Sequence, residues 1–216
     1  MIYSLLTLIN ILTFSAPDLP PGTIEINGKF VDKMEVRNID YREFLTHMKP
    51  RMEAEEYIML VPDSTNFWYD KSINKYKPIV NISWEQAMLY CEWRSAMVQR
   101  KNINVTYRLM TPEEWVEVGE YLLRKDEAKI NEERSKTTKI IDRKGESYYY
   151  LSSISKPLDR VYHYFDNVSE MTLTKGVAMG DNNLDLSKEL DSNLSRIINY
   201  RVPNAFLGFR CIAEFN

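Results

Sequence analysis

The chain has 216 residues, of which 44% are hydrophobic and 27% charged, with 28 Lys and Arg against 31 Asp and Glu. This is an ordinary globular composition, long enough for one domain with a sizeable core. A net charge of -3 without any basic tract excludes an electrostatic case for nucleic acid or an anionic membrane surface.

The opening residues, MIYSLLTLINILTFSAPDLPPG, carry a mostly apolar run from Ile2 to Phe14. As a helix it is too short to span a bilayer. Ser15, Ala16 and Pro17 follow, the layout of a secretory leader, although no Lys or Arg precedes the run. The expectation is a leader over 1–16 and a single domain over 17–216. The mature chain would then be secreted, or periplasmic and outer-membrane associated, with no transmembrane helix. A buried N-terminal strand is the alternative.

Asn27-Gly28 is a strong two-residue hairpin signal, with strands expected at Thr23–Ile26 and from Phe30 to Met34. The period then changes. Tyr41, Phe44, Leu45 and Met48 fall at i, i+3, i+4, i+7, which predicts a helix with Asn38 as its N-cap. Residues 49–80 hold no sustained period and read as a long packed loop.

In NISWEQAMLYCEWRSAM, Ser83 and Gln86 form a capping box. Trp84, Ala87, Met88 and Cys91 then share one helical face, so Cys91 points to the core. LMTPEEWVEVGEYLL repeats the pattern with Thr111 as N-cap, Pro112 at the first helical position and Glu114 closing the box. Its buried face is Trp115, Val118, Gly119 and Leu122. Residues 124–144 are densely charged and read as a solvated helix extension or insert. SYYYL is strand-like, and 152–204 is mostly irregular.

The last stretch, NAFLGFRCIAEFN, alternates. Leu207, Phe209, Cys211, Ala213 and Phe215 would face one way, and Gly208, Arg210, Ile212 and Glu214 the other. Cys211 could be a nucleophile, a metal ligand, half of a disulfide or core filler. Cys91 is its only candidate partner, and in an oxidising compartment two cysteines usually pair.

Other chemistry is sparse. With only His47 and His163, a three-histidine iron site is impossible. There is no nucleophile elbow, phosphate loop or dinucleotide fingerprint. Glycosylation triplets begin at Asn81, Asn104, Asn167 and Asn193 and matter only in a host that modifies secreted proteins.

Five segments appear in a telling order: the opening hairpin, PIVNISWEQAMLYCEWRS, YRLMTPEEWVEVG, DNVSEM and GFRC. Together the chain resembles the formylglycine-generating enzyme (sulfatase-modifying factor) family. The N-V-S-E and E-V-R-N-I-D-Y-R-E-F-L wording resembles non-catalytic members from Bacteroidetes, including gliding-motility and type IX secretion lipoproteins. The resemblance implies an α+β fold, a variant of the C-type-lectin-like fold with two main helices, small twisted antiparallel sheets and long irregular loops. It also implies that Cys91 and Cys211 pair as a disulfide.

Enzymes of that family use two thiols upstream of the final G-F-R strand to bind copper and activate oxygen. Here no cysteine lies between Glu170 and Arg210. Met171 and Met179 are isolated thioethers, so a soft Cu(I) site has no evident substitute. No catalytic residue carries over, and no catalytic cofactor is expected. Some members bind calcium in the G-N-V-x-E-W turn. Asn167, the Val168 carbonyl and Glu170 match those positions and are oxygen donors suited to Ca²⁺. The alternative is that Asn167 and Glu170 satisfy buried loop amides. Met110 replaces the family's Pro and Asp166 its Gly.

The expectation is therefore a non-catalytic extracytoplasmic binding or scaffold domain, with a protein or glycan partner in a cell-envelope gliding or secretion assembly. Its rivals are a formylglycine-generating-type oxidoreductase acting on a protein and a secreted lectin-like ligand binder.

Overall fold

The computed structural model describes residues 19–62, 74–125, 157–165, 167–181 and 197–216. The expected leader over 1–16, most of the charged stretch over 124–144 and the SYYYL segment lie outside the described residues.

Asn27 and Gly28 take φ of 50° and 77°. Two consecutive positive values match the twist of the flanking strands. They turn β1 (Thr23–Ile26) onto β2 (Lys29–Asp32), pairing Ile26 with Lys29. Helix α1 (Asn38–Met48) follows. Its cap corrects the sequence expectation: Arg37, not Asn38, precedes the first turn. The Asp40 carboxylate accepts from the Arg37 N–H at 3.0 Å and from its guanidinium at 2.8 Å. Asn38 is buried and donates its amide to the Asn74 carbonyl at 2.9 Å.

The region expected to be a loop holds a 3-10 turn (Lys49–Arg51) and a short helix α2 (Ala54–Ile58). Gln86 fastens the end of α2 by donating to the Met59 and Val61 carbonyls.

Helix α3 (Trp84–Gln99) starts at the expected box: Ser83 Oγ accepts from the Gln86 N–H at 3.2 Å, and Gln86 Oε1 from the Ser83 N–H at 2.6 Å. Helix α4 covers 112–125. There Thr111 Oγ1 accepts from the Glu114 N–H, and Glu114 Oε2 from the Thr111 N–H. Four α-helices are thus present among the described residues, rather than two main ones.

The first sheet runs β1-β2-β8-β3, with β3 at Val105–Leu109 and β8 at Cys211–Phe215, all antiparallel. Strand β3 would leave a free edge, which invites unwanted pairing. Helix α3 covers it: Ser95 Oγ accepts from the Tyr107 N–H at 2.7 Å, and Gln99 donates to the Val105 carbonyl at 2.9 Å. The second sheet runs β6-β5-β4-β7, comprising β4 (Ser169–Met171), β5 (Val177–Met179), β6 (Ile197–Asn199) and β7 (Leu207–Gly208). Its β4–β5 and β5–β6 pairs are antiparallel, as expected, and its β4–β7 pair is parallel.

The final strand is not continuous. The chain leaves the second sheet after Gly208 and enters the first at Cys211. A Cβ at Gly208 would lie 2.9 Å from Val168 Cγ2 and 3.1 Å from the Ile79 carbonyl, so only glycine fits this crossing. Central strand β8 is buried on both sides. Cys211 and Ala213 join the core under α1 and α3, with Tyr41, Phe44, Tyr90 and Phe209. Ile212 joins the core under α4, with Trp115, Val118, Leu122 and Tyr164.

Candidate functional site

Three sets of polar side chains gather around the start of β8. The first is the thiol pair. Cys91 on α3 and Cys211 on β8 are 1% and 0% exposed, and their sulfurs lie 3.2 Å apart. The two sulfurs are unbonded here and in contact. Burial and the adjoining Cys91 push the Cys211 thiol well above its usual range, which suits neither a nucleophile nor a ready metal ligand.

The second set lies beside it. Asp32, at the end of β2, accepts from the Cys211 N–H at 3.0 Å and from both Arg94 nitrogens at 2.6 and 2.8 Å. Arg94 also donates to the Pro21 carbonyl and sits 4.0 Å above the Tyr107 ring. This fork ties α3, β2 and β8 around the thiols.

The third set centres on Arg210, whose side chain is fully buried. Its Nε donates to Glu170 Oε1 at 2.7 Å. Its other nitrogens donate to the carbonyls of Asp32, Tyr162 and His163, and its charge lies over the Tyr164 ring. Glu170 Oε2 accepts from Trp115 Nε1 at 2.9 Å, and Asn167 donates to Glu35 Oε1 at 2.9 Å. Burial pushes the Glu35 carboxyl up and raises Glu170 to about 7 against the pull of Arg210.

Asn167 and Glu170 thus belong to one buried network, with Val168 packed between them at 1% exposure. Calcium asks for six to eight oxygen ligands. Both Glu170 oxygens already accept hydrogen bonds, and one of the donors is a cation that would repel the metal. The Asn167 amide nitrogen is turned to Glu35. As placed, these residues do not fit a calcium ion. No group of three His, Cys, Asp or Glu suited to a metal occurs among the described residues.

The sequence reading missed Arg210, Glu35, Trp115, Asp32 and Arg94 as parts of the network. Alternation put Arg210 on the face opposite Cys211, and that face is buried as well at the entry to central strand β8.

The family model for the sulfatase-modifying factor enzyme 1-like domain matches residues 10–121, just over half of the chain. The chain belongs to this family. No curated protein matches its sequence. Among solved structures the sulfatase-modifying factor chain is similar to CarF, with a TM-score of 0.54 at 14% identity over 87% of each chain. It is also similar to Treponema denticola variable protein 1, with a TM-score of 0.52 at 14% identity over 85% of this chain and 84% of that one. At such identities the likeness shows a shared fold. Among the described residues, no helix of this family member is long and apolar enough to cross a membrane.

Proposed function

We propose that this chain is a non-catalytic member of the sulfatase-modifying factor family that works by binding a protein or glycan partner. One observation carries the reading. The only two cysteines in the sequence sit against each other in the core, at 1% and 0% exposure, which leaves no thiol pair to hold copper at a substrate surface. Soft thiolate ligands are what Cu(I) chemistry requires. The remaining buried polar groups described above are spent on holding strands and loops together. What such a scaffold offers is its surface, and loops positioned on a rigid frame suit recognition.

The resemblance to envelope gliding and secretion lipoproteins supports an extracytoplasmic, envelope-associated role, and the apolar opening run supports export. Under oxidising conditions Cys91 and Cys211 need only a small sulfur movement to pair. The test is in vivo photo-crosslinking in the native host, with the crosslinker on the exposed faces of α1 and α3, followed by fractionation. A discrete crosslinked species in the envelope fraction is expected. Recovery solely as uncrosslinked cytosolic monomer contradicts the proposal.

A further inference from the structure

Helices α1 and α3 leave a groove between them, and its outer cavity is lined by none of the network residues above. One cavity of ≈ 510 Å³ is lined by Ile39, Arg42, Thr46, His47, Trp93 and Met97. A second, of ≈ 420 Å³, shares Glu43, Trp93 and Met97 with it and runs on to Asp32, Glu35 and Arg94, where acids and bases are mixed. Trp93 forms the wall between them, its ring 5.5 Å from those of Phe44 and Tyr90 and 6.0 Å from His47.

Two nitrogens in this wall, Trp93 Nε1 and His47 Nδ1, are buried without a hydrogen-bond partner among the described residues. Native proteins pair nearly all such atoms. Their roles can be assigned. An indole nitrogen only donates. His47 Nε2 faces Arg100 Nη1 at 3.5 Å, and a guanidinium only donates, so Nε2 holds the lone pair and Nδ1 the proton. Burial and the Arg51 and Arg100 charges lower the pKa of this imidazole. Two residues that line the cavity therefore carry buried N–H donors that lack an acceptor among the described residues.

The surrounding charge says which acceptor. Arg51 and Arg100 act on His47, and Arg42 lines the cavity, whereas Glu43 is the one acid on that cavity's wall among the described residues. Arg100 also rests on Met97 Sδ at 3.6 Å. Both side chains are flexible enough to swing aside and open the two nitrogens to an incoming group.

We propose that the α1–α3 groove binds an extended acidic peptide segment, with one carboxylate accepting from Trp93 Nε1 and His47 Nδ1 and apolar neighbours lying along Ile39 and Met97. Continuity of the two cavities favours an extended chain over a compact small acid. The site deepens the binding role proposed above and fails separately from it: copper-dependent oxidation would sink that role and leave this groove unaffected.

The test uses the purified full chain with ¹⁵N-labelled tryptophan. It is titrated with acetyl-Ala-Leu-Glu-Leu-Ala-amide, with the same peptide carrying Gln for Glu, and with phenylacetate. The Glu peptide is expected to move the Trp93 indole N–H resonance, and the Gln peptide to bind at least about tenfold more weakly, the factor for losing a charged hydrogen bond. Trp93→Phe keeps a ring and should lose a similar factor, and Arg42→Gln should weaken the Glu peptide while the protein still melts normally. An unmoved indole resonance at millimolar peptide, equal binding of the two peptides, or binding of phenylacetate alone overturns the proposal. The comparison of the two peptides on the wild type decides even where Trp93→Phe fails to fold.

Discussion

Arg210→Met should nearly unfold the protein. The substitution keeps an unbranched apolar stem and removes the guanidinium that faces two buried carboxyls, Glu170 at 2.7 Å and Glu35 beyond it. It also strips donors from the carbonyls of Asp32, Tyr162 and His163. Removing one partner of a buried ion pair costs about 3–5 kcal/mol. The carbonyl losses overlap with that figure rather than adding to it. Against a usual net stability of about 5–15 kcal/mol, the variant sits at or near the margin. With the guanidinium gone, both carboxyls would be pushed further up, so folding would take up protons. Stability of the variant should then fall more steeply than wild type as pH rises from about 4.5. Urea unfolding followed by tryptophan fluorescence at pH 5 and pH 8 measures both effects. The double variant Arg210→Met/Glu170→Met should recover part of the loss, because the stranded charge at Glu170 goes with the cation. A loss under about 1 kcal/mol for Arg210→Met at pH 8 would refute the claim that the network holds β4, β8 and the 157–165 loop together.

Wild-type stability should itself decline as pH rises from about 4.5 to about 7, since the folded state holds a proton on Glu170 that the unfolded state has released; calorimetric melts across that range should show Tm falling, and a rising Tm would contradict the assignment. Thr111→Val removes the oxygen that accepts from the Glu114 N–H and should cost about 1 kcal/mol in urea melts. Gly208→Ala forces a Cβ to within 2.9 Å of Val168 and should cost about 1–3 kcal/mol, and an unchanged midpoint would show that the crossing between sheets is looser than described. Protein exported by the native host should show no free thiol when denatured without reductant. The bond would close a loop between residues 120 apart, and on the chain-entropy view Cys211→Ser then costs up to about 5 kcal/mol.

Much of the scaffold was legible because its signals are local. Ser83 with Gln86 and Thr111 with Glu114 announce α3 and α4, and Asn27-Gly28 announces the first hairpin. Helical spacing placed Cys91 in the core and alternation placed Cys211 there, and the structure brings their sulfurs into contact. The failures share a physical cause. A period of two reports which face of a strand is buried only when the other face meets water. Strand β8 lies between β2 and β3 with cores on both sides, so Ile212 and the preceding Arg210 are as buried as Cys211. A charged residue in such a place looks like a solvent-facing one until its partners are known. Those partners, Glu170 and the carbonyls of Asp32 and Tyr162, come from segments 40, 178 and 48 residues away. The break at Phe209–Arg210 was hidden for the same reason, since both halves of the strand continue one alternation across two sheets. The groove nitrogens of Trp93 and His47 belong to different helices, and neither sequence position marks them as neighbours.

Copper reconstitution tests the central claim most directly. Purified chain, reduced and then given one equivalent of Cu(I) and dioxygen, is offered a cysteine-containing sulfatase-type peptide, and bound copper and peptide mass are read together. With both thiols of the chain buried against each other at 3.2 Å, the expected result is substoichiometric copper and an unaltered peptide cysteine. Stoichiometric copper together with conversion of that cysteine to an aldehyde would show that the chain is an oxidase and that the binding-domain account is wrong.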